Sequence, residues 1–487
     1  MVGKAVIPGA HDFEGKRVAI LGMGKSGRAA FEVLSSKTGA VLSVWDSRPE
    51  AVEEFAADGG AHHDGEVLVA QLLRWRPDVV VIAPAFRQSG PEWAALRAAG
   101  MSVWSEIELA WHLRAQRADG SFAPWLAITG TNGKTTTTTM LESILQAAGL
   151  RGVAVGNVGN PAVTAVSDES ASAPGAFAFE LSSFQLAATA SMSPAAAVCL
   201  NIDDDHLEWH NSRREYHEAK ANVYNRAQVA CLYPVGDTEV QEMVDDADVV
   251  EGARAIGLTL GVPSVGQIGL VDDVVVDRAF TPKRYTHAAE LFSVADIEHL
   301  APAGLDLPLH IMKDAMVAAS LALSIGVEPV AIRDGIRAYH PGRHRIELVA
   351  TLDGVRYVDD SKATNAHAAR ASVLAQGEKS VVWIVGGQAK GAHFGQLVGD
   401  VASRLAAVVV IGTDQQPWLE ALAGLDVPVH YVAPDSAQPM AAAVAWARAN
   451  ATEGNTVLLA PASASMDQFA SYADRGEKFA QAVREQA

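Results

Sequence analysis

Lys134 and Thr135 close the run Gly130-Thr131-Asn132-Gly133, and a lysine and a hydroxyl behind two glycines suit a nucleoside triphosphate. Such glycines let backbone N–H groups converge on anionic oxygens, the lysine adds a point charge, and the threonine hydroxyl can reach a Mg²⁺ shared with the phosphates. Gly130, Thr131, Asn132, Gly133, Lys134, Thr135 and Thr136 are therefore candidate contacts to a nucleoside triphosphate. Downstream, Glu180 ends the apolar run Phe177-Ala-Phe179, and a carboxylate at a strand end facing a phosphate loop suits a Mg²⁺ ligand. The run Ala196–Ile202 ends in Asp203-Asp204-Asp205-His206, which places His206 near the same rim. Each has a plainer reading: a helix-capping glutamate, a solvated acidic run, a locally satisfied histidine. Tyr216 and Lys220 lie four positions apart, so on a helix they share a face. A lysine beside Mg²⁺ is repelled unless neutral or anionic, and a carbamate formed with CO₂ would make it an oxygen donor.

Two further stretches gather polar residues at strand ends. Arg17–Leu21 leads into Gly22-Met-Gly24-Lys25-Ser26-Gly27, and a second strand ends on Asp46, a G-x-G-x-x-G pattern with an acidic residue about 20 positions on. NAD(P), another nucleotide diphosphate, or a scaffold without ligand all remain open, with Lys25, Ser26, Ser47 and Arg48 at the rim. Asn157, in the turn Gly156-Asn157-Val158-Gly159, could donate to a phosphate or sugar or simply shape the turn. Near the C-terminus, Arg345, Lys362, Lys390 and Ser465 sit at predicted strand ends. Together they suit a small dianionic substrate and the far side of a nucleotide; singly, each reads as a surface group.

The elements that must position these residues follow from patterning. Short apolar runs alternating with helical stretches indicate parallel sheets covered by helices. The fold expected is α/β with three domains: a Rossmann-like domain over 1–112, a central P-loop ATPase-like domain with a parallel or mixed sheet over 113–341, and a Rossmann-like domain over 342–487. A length of 487 residues fits that number. The stretch Asp237–Arg284 reads as acidic and irregular with short strand-like runs, and Leu309–Ile325 as an amphipathic helix. A net charge of −19 argues against nucleic acid as a bulk partner. The N-terminal stretch lacks the apolar core of a signal peptide, no apolar run is of spanning length, and the two cysteines cannot form a disulfide framework. A cytoplasmic location without membrane insertion is expected, and a monomer, since no apolar seam is evident.

Taken together, Thr129-Gly-Thr-Asn-Gly-Lys-Thr135, Glu180-Leu-Ser-Ser-Phe184, Asp205-His206-Leu207, Tyr216-x-x-x-Lys220, His344-Arg345-x-Glu347 and Asp360-Ser-Lys-Ala-Thr-Asn365 resemble the Mur ligases, ATP-dependent amino-acid-adding enzymes of peptidoglycan synthesis. The resemblance covers nearly the whole chain. Gly386-Gly-x-x-Lys390-Gly391 and Ala462-Ser-Ala-Ser-Met-Asp-Gln-Phe469 look like those of the branch that adds D-glutamate to UDP-N-acetylmuramoyl-L-alanine. The resemblance implies ATP, two Mg²⁺ ions and CO₂, the last as a carbamate on Lys220. Lys25, Ser26, Ser47 and Arg48 would hold the UDP, so the glycine fingerprint would not be a nicotinamide site. Asn157, Ser182 and Gln185 would lie along the muramoyl-alanine substrate. Thr135, Glu180, His206 and carbamylated Lys220 would take metal, while Lys134, His206, Lys220 and Arg345 would serve catalysis. Arg345 and Asp360 would reach the γ-phosphate side and the ribose of ATP, and Lys362, Thr364, Lys390, Ser465 and Tyr472 would form the D-glutamate pocket. Where the family shows His-Asn-x-x-Asn near the adenine, this chain reads His310-Ile-Met-Lys-Asp314. A ligase adding another amino acid, or a nucleotide-dependent switch, are the rival readings; the Asp-Asn-Pro-Arg expected of a diamino-acid adder is absent from the sequence.

Overall fold

A computed structural model of the chain describes residues 8–55, 58–61, 65–84, 86–87, 91–301, 307–389 and 391–486. It contains three sheets. The first has five parallel strands in the order Asp58–Ala61, Val41–Asp46, Arg17–Leu21, Val79–Ile82, Ser102–Ser105. Strand order reverses beside Arg17–Leu21, and such a switch point opens a crevice at the carboxyl ends of the strands. The glycine turn follows that strand.

The second sheet has nine strands. Its parallel heart runs Ala230–Pro234, Ala196–Cys199, Trp125–Thr129, Ala176–Glu180, Gly152–Gly156, and all five residues of Trp125–Thr129 are buried. A strand covered on both faces needs no alternation, which explains its unbroken apolar run. The stretch Asp237–Arg284 proves more regular than its sequence suggests. Asp237 caps the helix Thr238–Asp245 by accepting from Val240 N at 3.1 Å. Arg254–Thr259, Gln267–Val271 and Val274–Asp277 then extend the sheet, with Ala289–Ser293 at its edge. The last three strands are antiparallel, and a two-residue turn with Asp272 at φ 54° joins the first pair. Such short strands carry too little apolar patterning to stand out. The third sheet has the order Glu347–Leu352, Val355–Asp359, Thr456–Leu459, Val381–Gly386, Leu405–Ile411, Val429–Tyr431, parallel except for its first strand.

The chain forms two compact units, Met1–Asp296 with Met312–Tyr339, and Ile297–Ile311 with His340–Ala487. Within the first unit, buried carboxylates join the two sheets' elements. Glu106 accepts from Val163 N at 2.6 Å, and Glu108 from Ala190 N at 2.8 Å and Ser191 N at 3.0 Å. Burial pushes the Glu106 carboxyl up to about 7. Among the described residues, no helix is long and apolar enough to cross a membrane.

The helix after the phosphate loop, Lys134–Ala147, opens with five threonines, which are mediocre helix formers. Two of their hydroxyls turn back on the helix: Thr138 Oγ1 donates to Lys134 O at 2.8 Å and Thr139 Oγ1 to Thr135 O at 2.7 Å. Tertiary packing must therefore hold this helix. Its buried side includes Met140, Leu141, Ile144 and Leu145, and the helix Pro329–Ala338 lies against it, with Ser143 Oγ donating to Gly335 O at 2.7 Å. A Cβ on Gly335 would fall 2.4 Å from Ile144 Cα. Gly335→Ala should therefore destabilise the protein by about 1–3 kcal/mol through overpacking. A denaturant midpoint equal to wild type would show that the two helices part without cost.

Candidate active site

Gly133 enters the helix at φ 83°, the left-handed region, and a Cβ there would lie 2.7 Å from Asp314 Oδ1. Only glycine satisfies both the turn and this approach. Asp314 thus packs against the phosphate loop from the helix Leu309–Ser324. Asn201, just past the neighbouring strand, fixes the loop's shape. Its Oδ1 accepts from Thr131 N at 3.1 Å and Asn132 N at 2.9 Å, and its Nδ2 donates to Asn132 O at 3.2 Å. Thr131 Oγ1 accepts from Asp203 N at 3.0 Å and shares a hydrogen bond with Tyr216 Oη at 2.9 Å.

Two lysines meet at this loop. Lys134 Nζ donates to the carbonyls of Gly130 and Thr131, both at 2.9 Å. Lys220 reaches the same Gly130 carbonyl from the helix Arg213–Ala221, at 2.7 Å, lies 3.4 Å from Thr129 Oγ1, and packs on the Tyr216 ring at 4.8 Å. It is 2% exposed, and among the described residues no carboxylate pairs with it. Burial first, and then the charge of Lys134, bring its amine down to about 7. A neutral amine is the form that can add CO₂.

Glu180 is buried at the end of its strand, with Oε1 accepting from Asn157 Nδ2 at 2.8 Å. Its Oε2 is buried with no hydrogen-bond partner, and a carboxyl oxygen so placed fits a cation ligand. Thr135, in the first turn of the phosphate-loop helix, and His206, which follows the adjacent strand, lie on the same edge of the sheet. His206 adopts φ 52° and its ring packs 4.8 Å from Phe184. Ser182 and Gln185 form a capping box on Ser183–Leu186: Gln185 Oε1 accepts from Ser182 N and Oγ, both at 2.9 Å.

At the first sheet's rim, Asp46 accepts from Met23 N at 2.7 Å and from Arg48 N at 3.0 Å. Burial pushes this carboxyl up, but the bonds from Arg48 and Met23 outweigh it and hold it at about 2. Both of its oxygens therefore serve the glycine turn and Arg48. Lys25 Nζ donates to Gly159 O at 2.6 Å, Ser26 is half-buried, and Ser47 and Arg48 are exposed.

In the second unit, His344 Nδ1 lies 2.7 Å from Asp359 Oδ2, and the His344 backbone N–H donates to Glu347 Oε2 at 2.8 Å. Half-buried Arg345 is flanked by two left-handed residues, His344 at φ 66° and Ile346 at φ 48°. Asp360 is buried and accepts from Ser372 Oγ; burial raises it to about 6, against the pull of that hydroxyl and of Arg345. Lys362 Nζ sits 4.1 Å over the ring of Tyr472, which is 37% exposed, while Thr364 N donates to Lys362 O at 2.8 Å and Ser465 is buried. Lys390 lies outside the described residues. Sequence reasoning missed Asn201, His210 and Arg475. His210, buried, shares a hydrogen bond with Ser183 at 2.8 Å. Only the place of Asn201 directly after a buried strand offered a signal.

The chain is similar to known proteins along nearly its whole length. Residues 128–252 match the Mur ligase middle domain, and 344–463 the Mur ligase glutamate ligase domain. UDP-N-acetylmuramoylalanine–D-glutamate ligases of Streptomyces avermitilis and Thermobifida fusca are 46% and 43% identical, each match covering 97% of this chain and 99% of the relative. Among solved structures, UDP-N-acetylmuramate-alanine ligase from Thermotoga maritima aligns with a TM-score of 0.55 at 15% identity, over 97% of this chain and 100% of that one. A MurF ligase from the same organism, in complex with ADP, aligns at 0.53 and 14%, over 98% and 97%. Matched along 97% of its length by relatives at 43–46% identity, and by the family's middle and glutamate ligase domains, the chain belongs to the Mur ligase family of ATP-dependent ligases.

Proposed function

We propose that this enzyme joins D-glutamate to UDP-N-acetylmuramoyl-L-alanine, converting ATP to ADP and phosphate, as a cytoplasmic monomer. The observation that carries the reading is the match, along 97% of the chain, to ligases bearing that name. The phosphate loop with its two lysines supplies the chemistry. Residues 1–112 would hold the UDP through Lys25, Ser26, Ser47 and Arg48. Residues 113–341 would hold ATP, with Asn157, Ser182 and Gln185 along the acceptor, and 342–487 the D-glutamate, through Lys362, Thr364, Ser465, Tyr472 and Lys390.

An oxygen of the alanine carboxylate attacks the γ-phosphorus, the bond to the bridging oxygen breaks, and ADP leaves. The free amine of D-glutamate then attacks the acyl phosphate carbon. The tetrahedral intermediate expels phosphate and loses the amine proton, leaving an amide. Stabilising transferred negative charge matters more here than any protein nucleophile. Lys134 and Arg345 would bear on the phosphoryl oxygens. The burial of Asp360 and its bond to Ser372 favour a part in holding Arg345 over contact with ribose. Two Mg²⁺ ions would be held by Thr135, Glu180, His206 and Lys220 as its carbamate, and would supply charge neutralisation at the phosphates. The unpartnered Glu180 oxygen and the lowered Lys220 amine support that donor set.

Phosphate release from ATP with UDP-N-acetylmuramoyl-L-alanine, assayed over D-Glu, L-Glu, L-Ala and diaminopimelate, tests the assignment. D-Glu alone should stimulate turnover; an equal or better response to another amino acid would reassign the substrate. The buried lysine makes a separate prediction about stability. Its pKa falls from 10.5 in the unfolded chain to about 7 in the fold, so the unfolded state binds the proton more tightly. The resulting cost grows as pH drops from 10.5 to about 7 and is constant below. In CO₂-free buffer, Lys220→Met should therefore raise Tm by several degrees at pH 6, with the gain fading toward pH 10.5. A lower Tm at pH 6 would mean that the lysine's hydrogen bonds outweigh its desolvation.

A further inference from the structure

The helix Tyr472–Arg484 carries a fully buried arginine, Arg475, at 0% exposure. Its guanidinium donates Nε to Ser361 Oγ at 2.9 Å, Nη2 to Ser361 O at 2.9 Å, and Nη1 to Ser463 O at 3.0 Å and Gly386 O at 3.5 Å. Those acceptors lie at or just beyond the carboxyl ends of three adjacent parallel strands, Val355–Asp359, Thr456–Leu459 and Val381–Gly386. Ser361 Oγ in turn donates to Tyr472 O at 2.7 Å, closing the ring back onto the helix. Gly387 makes room: a Cβ there would lie 2.2 Å from Ala464 O and 3.3 Å from Arg475 Nη1.

Burial works against this cation, lowering its pKa to about 10 against the smaller opposing pull of the Asp467 and Asp359 charges. An apolar side chain of similar volume would avoid the desolvation penalty altogether. What no apolar side chain, and no lysine, can do is bond to three loops at once with a planar, five-donor fork. Those loops also carry the amino-acid pocket of the function proposed above. Lys362 and Thr364 follow Ser361, Ser465 follows Ser463, and Gly386 leads toward Lys390.

Resting on that reading, we infer that Arg475 is a positioning residue for D-glutamate, its guanidinium setting the spacing between the loops that grip the amino acid. It touches no substrate and acts through Ser361, Gly386 and Ser463. A misplacement of about 1 Å in a binding group is enough to cost a large factor in turnover, so a modest loosening of this hub is measurable.

The test compares wild type with Arg475→Lys and Arg475→Met in the full-length enzyme. KM for D-Glu should rise about tenfold or more, with Arg475→Lys intermediate. KM for ATP and for the UDP acceptor should stay within about threefold, and acyl phosphate trapped by borohydride in the absence of amino acid should be unchanged. An unchanged KM for D-Glu overturns the inference, as does a parallel loss in all substrates that tracks a lower Tm. Should Arg475→Met fail to fold, Ser361→Ala, which removes one bond to the guanidinium, should give a smaller rise in the same parameter, and no rise counts against the hub. If wild type ignores D-Glu, the substrate reading has failed independently. Hydrogen exchange then decides: faster exchange confined to 361–365, 386–389 and 463–466 in Arg475→Lys supports the hub, and exchange equal to wild type refutes it.

Discussion

The active site is organised by an electrostatic conflict: Lys134 and Lys220 both donate to the carbonyl of Gly130, and Lys220 does so almost completely buried. Taking an ammonium out of water costs several kcal/mol unless an opposite charge repays it, and a second ammonium nearby adds to the cost. The conflict is relieved when Lys220 gives up its proton, leaving Lys134 as the loop's cation. Tyr216, whose hydroxyl bonds Thr131 and whose ring faces the Lys220 amine, contributes to both sides of this arrangement. A neutral amine in so dry a place is a nucleophile, and CO₂ is a small apolar electrophile able to reach it. Addition of CO₂ would convert the buried amine into an anion, the sign that would suit a metal ion beside Glu180.

Sheet order delivers the remaining groups. Because Trp125–Thr129 lies between Ala196–Cys199 and Ala176–Glu180, three adjacent parallel strands end on one edge, and each hands over a polar residue there. Asn201 and Asp314 then fix the shape of the phosphate loop from the neighbouring strand end and from the helix Leu309–Ser324. The second unit repeats the principle with different means: a buried guanidinium, in place of a pair of amines, ties its strand ends together.

Much of this was legible in the sequence, for identifiable reasons. Glycines at positive φ, unbroken apolar runs and polar residues at their ends leave a strong local signature, so the phosphate loop, Glu180 and the alternation of strands and helices could be read directly. The sheet extension within Asp237–Arg284 left only short strand-like runs, because strands of four to six residues pair through backbone and need little patterning. Arg475 was invisible for the opposite reason: an arginine on a helix is ordinarily a solvated one, and its burial is decided by packing against segments about 90 and 114 residues away. Asp46 fell between: its spacing behind the glycine turn was apparent, but its use on Met23 and Arg48 was a matter of geometry.

The claim on which the account turns is that Lys220 is held as a free amine and captures CO₂. Adding ¹³C-labelled bicarbonate to the purified enzyme and recording its ¹³C spectrum tests this directly. A carbamate resonance should appear, saturate with bicarbonate, and be missing from Lys220→Arg. Full ligase activity in CO₂-depleted buffer, with no such resonance in wild type, would contradict it.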